Sequence, residues 1–140
     1  MFDVALTDAG AKVVLATASD EKHPPEHMID GSEETFWSST GLFPQEFVIS
    51  FSGLMNINAV NLKTYQIHKM SIERSVQAEP IDFEILEEKE FTVTDMALQV
   101  EDFTFDEATA ATHLRFVVKS GYDHFISVHQ VSVDGTAARQ

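Results

Sequence analysis

The run His113 to Lys119 sets Leu114, Phe116 and Val118 on one side and Arg115, Val117 and Lys119 on the other. A period of two sends alternate side chains to opposite faces, which is the signature of a strand. Comparable short runs recur along the chain: Gly10 to Ser19, Glu46 to Phe51, Ile57 to Tyr65, Phe91 to Thr94 and Met96 to Val100. Ile81 to Leu86 alternates Ile81, Phe83 and Ile85 with acids, as a half-buried strand with those three turned inward does. In Ile126 to Val133, strict alternation puts Ile126, Val128 and Gln130 on one face and Ser127, His129, Val131 and Val133 on the other. Ile67 to Val76 mixes strand and helix spacings. Turns are expected at Asp20 to Pro25, Ser38 to Gly41, Ser52-Gly53, Ala108 to Ala111 and Gly121 to His124. Pro25 can open one helical turn through Ile29. Eight or so short strands without a long helix predict an all-β antiparallel sandwich, and 140 residues without a linker or repeat predict a single domain over 1–140.

A chain of this length buries roughly 68–70% of its unfolded surface, enough for a self-sufficient core. It has no cysteine, so disulfides, thiolate metal sites and cysteine nucleophiles are excluded. The N-terminus has no basic segment followed by an apolar run, and no stretch is apolar enough to span a bilayer, so a soluble intracellular protein is expected. The formal charge is −14, and Glu79 to Glu107 holds eleven acids against one base, Lys89. Such a balance opposes nucleic acid and anionic lipid, which require clustered cations. The acidic stretch reads first as a solvated edge and second as a docking face for a basic partner.

His23-Pro-Pro-Glu-His27 fits the H-x-x-E-H pattern of one zinc peptidase class. That chemistry needs both histidines on one helical face, and two consecutive prolines between them forbid the helix. His68, His113, His124 and His129 stand singly and read as hydrogen-bonded structural residues, and no nucleophile elbow or phosphate loop occurs. No enzymatic activity is expected.

Met28 to Trp37 gathers an Asp-Gly turn, an acidic tip, a threonine and the only tryptophan. On these residues alone the loop reads equally as a plain turn into a core tryptophan and as an oxygen-lined seat for a hard cation. Ile29 to Trp37 resembles the first loop of the galactose-binding-domain-like, or discoidin-type, jelly rolls, whose pattern is D-G-x-x-x-T-x-W. The resemblance implies a structural calcium ion. It would be held by the main-chain oxygens of His27 and Ser32, the Asp30 carboxylate, and Thr35 through its hydroxyl, its carbonyl or both. The last strand would add the His129 carbonyl and the Gln130 side chain. Many members of that superfamily carry Glu where Gln130 stands, which implies a weaker site here.

Ser19-Asp-Glu-Lys-His-Pro-Pro-Glu26, Thr40-Gly-Leu-Phe-Pro-Gln-Glu-Phe47, Glu79-Pro-Ile-Asp-Phe83, Leu114-Arg-Phe-Val117 and Tyr122-Asp-His-Phe-Ile-Ser-Val-His129 together resemble a narrower family. It is the small β-sandwich subunit of intraflagellar transport complex B, also called placental protein 25 or small heat-shock-like protein beta-11. The resemblance implies a non-enzymatic adaptor that pairs with a Rab-like small GTPase subunit and joins other complex B subunits. Its expected place is the cilium or flagellum and the cytoplasm around the basal body. The alternative is a carbohydrate- or lipid-binding discoidin-type module.

Overall fold

Two strands of unusual length carry the architecture. The computed structural model describes residues 2–17, 24–32, 34–39, 43–94, 97–123 and 125–138, without the side chains of 2, 8, 39 and 106. The strands are β1 (Phe2–Asp3), β2 (Lys12–Ala16), β3 (Trp37–Ser39), β4 (Gln45–Tyr65), β5 (Ile67–Ser75), β6 (Glu84–Glu90), β7 (Gln99–Gly121) and β8 (Ile126–Ala137). The hydrogen-bonded order is β1-β8-β4-β7-β5-β6, with β2 added on β4 and β3 on β8, and every pairing is antiparallel. Among the described residues no helix is long and apolar enough to cross a membrane.

β4 and β7 bend together and so serve both layers. The first part of β4 pairs with β2 and the C-terminal half of β7, with Ile49 opposite both Val13 and Leu114. Its second part pairs with the N-terminal half of β7 and with β8, Leu62 lying between Glu101 and Val131. Curling the sheet this way brings the inward faces together as a jelly-roll sandwich. Trp37, Phe47, Phe91, Phe103 and Phe116 fill the space between at 1% exposure or less. Trp37 meets Phe47 edge-on at 5.4 Å between centroids, and Phe47 stacks on Phe116 at 4.8 Å. Phe43 packs on the same core, while Leu42 lies outside the described residues.

Several expected turns are strand. Ser52-Gly53 does not turn the chain: β4 runs through it, and Gly53 is not among the positive-φ glycines. A register shift between Ser50 and Met55 bends β4 there instead, so that hydrogen bonding continues from one layer to the next. Ala108 to Ala111 lies within β7 at the same corner, where Ala111 is fully buried opposite Met55. Small side chains suit a place where two strands bend in contact, which made the stretch look like a loop. Ser38-Ser39 belongs to β3, paired with Ser127 and Ile126.

Other expected strands move. Phe91 to Thr94 is not strand; Phe91 N–H donates to His68 O at 2.7 Å and its ring is buried. Met96 lies outside the described residues, and β7 begins at Gln99. The mixed stretch Ile67 to Val76 resolves into β5, with Met70 and Ile72 in the core. β6 starts only at Glu84, and Ile81 and Ile85 are exposed rather than core-facing. β6 ends the sheet and its pairing with β5 shifts at Leu86, so simple alternation does not turn those residues inward.

The acidic stretch is knitted by cations from neighbouring strands. Arg74 meets Glu84 at 3.2 Å, Lys69 meets Glu90 at 3.8 Å, and Lys119 pairs with Glu88, holding its carboxyl below the usual range. Lys89 reaches across to β7, 3.3 Å from the Glu101 carboxylate and 2.8 Å from Asp102 O.

Candidate metal centre

Pro25 occupies the first turn of a 3-10 helix, Pro25–Ile29, where its missing N–H is not needed. Met28 and Ile29, buried at 0% and 1%, anchor that turn, and Thr7 Oγ1 donates to Ile29 O at 3.1 Å. The helix packs on β8. The chain then reverses through Gly31 at φ +84, a conformation a Cβ would strain. Asp30 Oδ1 accepts from Ser32 N–H at 2.9 Å, and Ser32 Oγ accepts from Glu34 N–H at 3.1 Å. These local bonds make the Asp-Gly turn the sequence predicts.

The Thr35 hydroxyl sits where the loop's oxygens converge. It lies 2.5 Å from Asp30 Oδ2, 3.4 Å from His27 O and 3.4 Å from Ser32 O. One hydroxyl carries one proton, and the carboxylate contact is far the shortest. The two carbonyls are thus left with long, weak contacts at best. Beyond Thr35, Phe36 stacks on the His129 ring at 4.8 Å, and Trp37 pairs with Val128. The Phe36–His129 stack thus continues the contact between the loop and the last strand one residue past the Trp37–Val128 pair.

The His129 region departs from the strict alternation expected of the last strand. Gln130 pairs with Lys63 and Val128 with Thr64, so His129 is an extra residue, a β-bulge. Ile126, Val128, Val131 and Val133 are consequently all fully buried. The step from apolar 126 and 128 to apolar 131 and 133 is the trace of this bulge in the sequence. No pattern marked the Phe36 stack.

His27, Asp30, Ser32 and Thr35 are therefore gathered around one hydroxyl and His129 is joined to the loop through Phe36, while Gln130 is paired with Lys63 on the other side of β8. The donors are one carboxylate, carbonyls, a hydroxyl and an amide, a neutral-rich oxygen set that fits calcium and does not fit softer ions. The H-x-x-E-H pattern gains nothing: His23 lies outside the described residues, and His27 sits on a 3-10 turn. Among the described residues no three His, Asp or Glu side chains cluster as metal ligands. His68 packs against the Tyr122 ring at a tilt and contacts Ser120 Oγ, and His113 contacts Thr112 Oγ1, as structural histidines do; His124 is outside the described residues. Burial pushes the His113 imidazole below its ordinary pKa.

This fold and loop define a galactose-binding-like jelly roll of the discoidin type. The F5/8 type C domain family matches residues 14–131. Among solved structures, the family 32 CBM from C. perfringens NanJ in complex with galactose superposes with a TM-score of 0.75 at 17% identity, covering 88% of this chain and 92% of that one. Within that class, the chain belongs to the intraflagellar transport protein 25 family. It is 47% identical over 135 residues to the Intraflagellar transport protein 25 homolog of Homo sapiens, spanning 96% of this chain and 93% of that protein. It is 36% identical over 135 residues to Intraflagellar transport protein 25 of Chlamydomonas reinhardtii, spanning 96% of this chain and 70% of that protein.

Proposed function

We propose that this chain is a non-enzymatic adaptor of intraflagellar transport complex B, working in the cilium or flagellum and the cytoplasm near the basal body. It forms a heterodimer with a Rab-like small GTPase subunit and contacts other complex B subunits as one domain over 1–140. The observation that carries this reading is 47% identity maintained over nearly the whole of both chains. His68, His113 and His129 each contact a neighbouring hydroxyl, as structural histidines do, which supports a non-enzymatic role. Coexpression with candidate small GTPases followed by size-exclusion chromatography tests it. A one-to-one complex is expected; elution of this chain alone against every candidate overturns the pairing.

His27, Asp30, Ser32, Thr35, His129 and Gln130 would hold a structural calcium ion. The ion would supply the positive charge that the converging oxygens share and join segments about a hundred residues apart, adding rigidity to the loop.

A carbohydrate-binding role is the second reading, favoured by the likeness to a module solved with galactose. Against it, Trp37 is fully buried and offers no stacking surface for a sugar. Robust glycan-array binding would promote it.

A further inference from the structure

β6 ends the hydrogen-bonded path and, among the described residues, pairs only with β5. Its outer side therefore presents backbone N–H and C=O groups to whatever extended segment can reach them. Such edges are commonly guarded, and β6 carries two guards, the register shift at Leu86 and four glutamates in seven residues. A guard does not require apolar groups, yet the β5–β6 corner displays three. Ile85 is 65% exposed, Ile81 51% and Val76 48%. They are drawn together by the hairpin, where Ser75 Oγ donates to Ile81 O at 2.5 Å.

Charge selects the occupant of this edge. A second copy of β6 would oppose glutamate to glutamate, which disfavours self-pairing. A basic strand meets the reverse. Glu84 and Glu90 remain 70% and 67% exposed despite Arg74 at 3.2 Å and Lys69 at 3.8 Å, and exposed pairs of this kind are weak enough to exchange for a partner's cations. We propose that β6 receives an extended basic segment of another protein as an added strand, with Ile85 as its apolar centre and the flanking glutamates setting the charge preference. This surface is separate from the calcium loop and does not depend on the identity of the GTPase.

The test is titration of the full chain, labelled with ¹⁵N, with a synthetic peptide of alternating lysine and valine. Amide shifts and slowed exchange are expected along Glu84–Glu90, with binding weakened about tenfold in Ile85→Glu. That variant separates seating from simple attraction, because a purely electrostatic contact would tighten when a further acid is added. Ile85 is exposed, so an unchanged melting curve verifies that the variant folds. Shifts scattered over the acidic surface would overturn the proposal. So would Ile85→Glu binding as well as wild type, or self-association of the free chain that protects the same amides.

Discussion

Beneath the β4–β5 connection the amide of Gln99, 1% exposed, accepts from Thr64 Oγ1 at 2.9 Å and Ile67 N–H at 3.0 Å. It donates to Ile67 O at 2.8 Å and Thr92 O at 3.0 Å. In the loop Met28–Trp37, by contrast, Thr35 offers one proton to three oxygens. Both sites hold irregular backbone: Gln66, at φ 65, follows Thr64 and Tyr65, and Gly31 turns the loop. Their balance differs. Around Gln99 donors equal acceptors, and the protein completes the network by itself. Around Thr35 acceptors exceed donors, a surplus that water or a bound cation would relieve. Only the Gln99 turn is buried and self-completed; the turn at 30–35 is open to solvent and to any ion its oxygens would hold.

Breaking the balanced side gives the largest effect. Gln99→Leu strands the Thr64 and Ile67 polar groups in the core and is expected to remove roughly 3–5 kcal/mol of stability, read as a fall in the urea midpoint. The calcium response should survive in that variant. A loss below about 1 kcal/mol would show that the network is dispensable.

On the surplus side, calcium at about a hundred times its Kd is expected to add about 2.7 kcal/mol. For a domain of this size that is a rise in Tm of roughly 5–10 °C. Asp30→Ala should abolish the rise, and equal responses in the two proteins would remove the calcium site. Gln130→Glu sharpens the same point, since an added carboxylate should tighten calcium on the order of tenfold by calorimetry. An unchanged affinity would exclude Gln130 from the donor set.

The smallest effect concerns a third polar position, His113, 5% exposed and 2.9 Å from Thr112 Oγ1. Its pKa is held down by burial, so the unfolded chain takes up the proton first as pH falls below about 6.5. The contribution of neutral His113 is complete above that value and declines progressively below it, toward the depressed folded pKa. His113→Gln should flatten stability across this window; an identical slope in both proteins would show that other groups govern it.

Much of the candidate site was legible because it is local. Asp30-Gly31, Thr35 and Trp37 lie within eight residues, and the turn they form is closed by bonds spanning two to eight positions. Phe36 on His129 was not legible, because the contact requires two distant strands to be in register. The β6 boundary failed for a related reason: apolar Ile81 and Ile85 alternate as though one face were covered, and only the sheet order leaves that edge open.

The sequence by itself determined the all-β class, the Asp-Gly turn and the core role of Trp37, since side-chain period, glycine conformation and apolar bulk act through near neighbours. Tertiary structure alone decided that β4 and β7 bend instead of turning at Ser52-Gly53 and Ala108 to Ala111. It alone placed the bulge at His129 and the stack of His129 on Phe36. Strand continuity and facing are properties of hydrogen-bonded pairs, and a strand's partners lie far away along the chain.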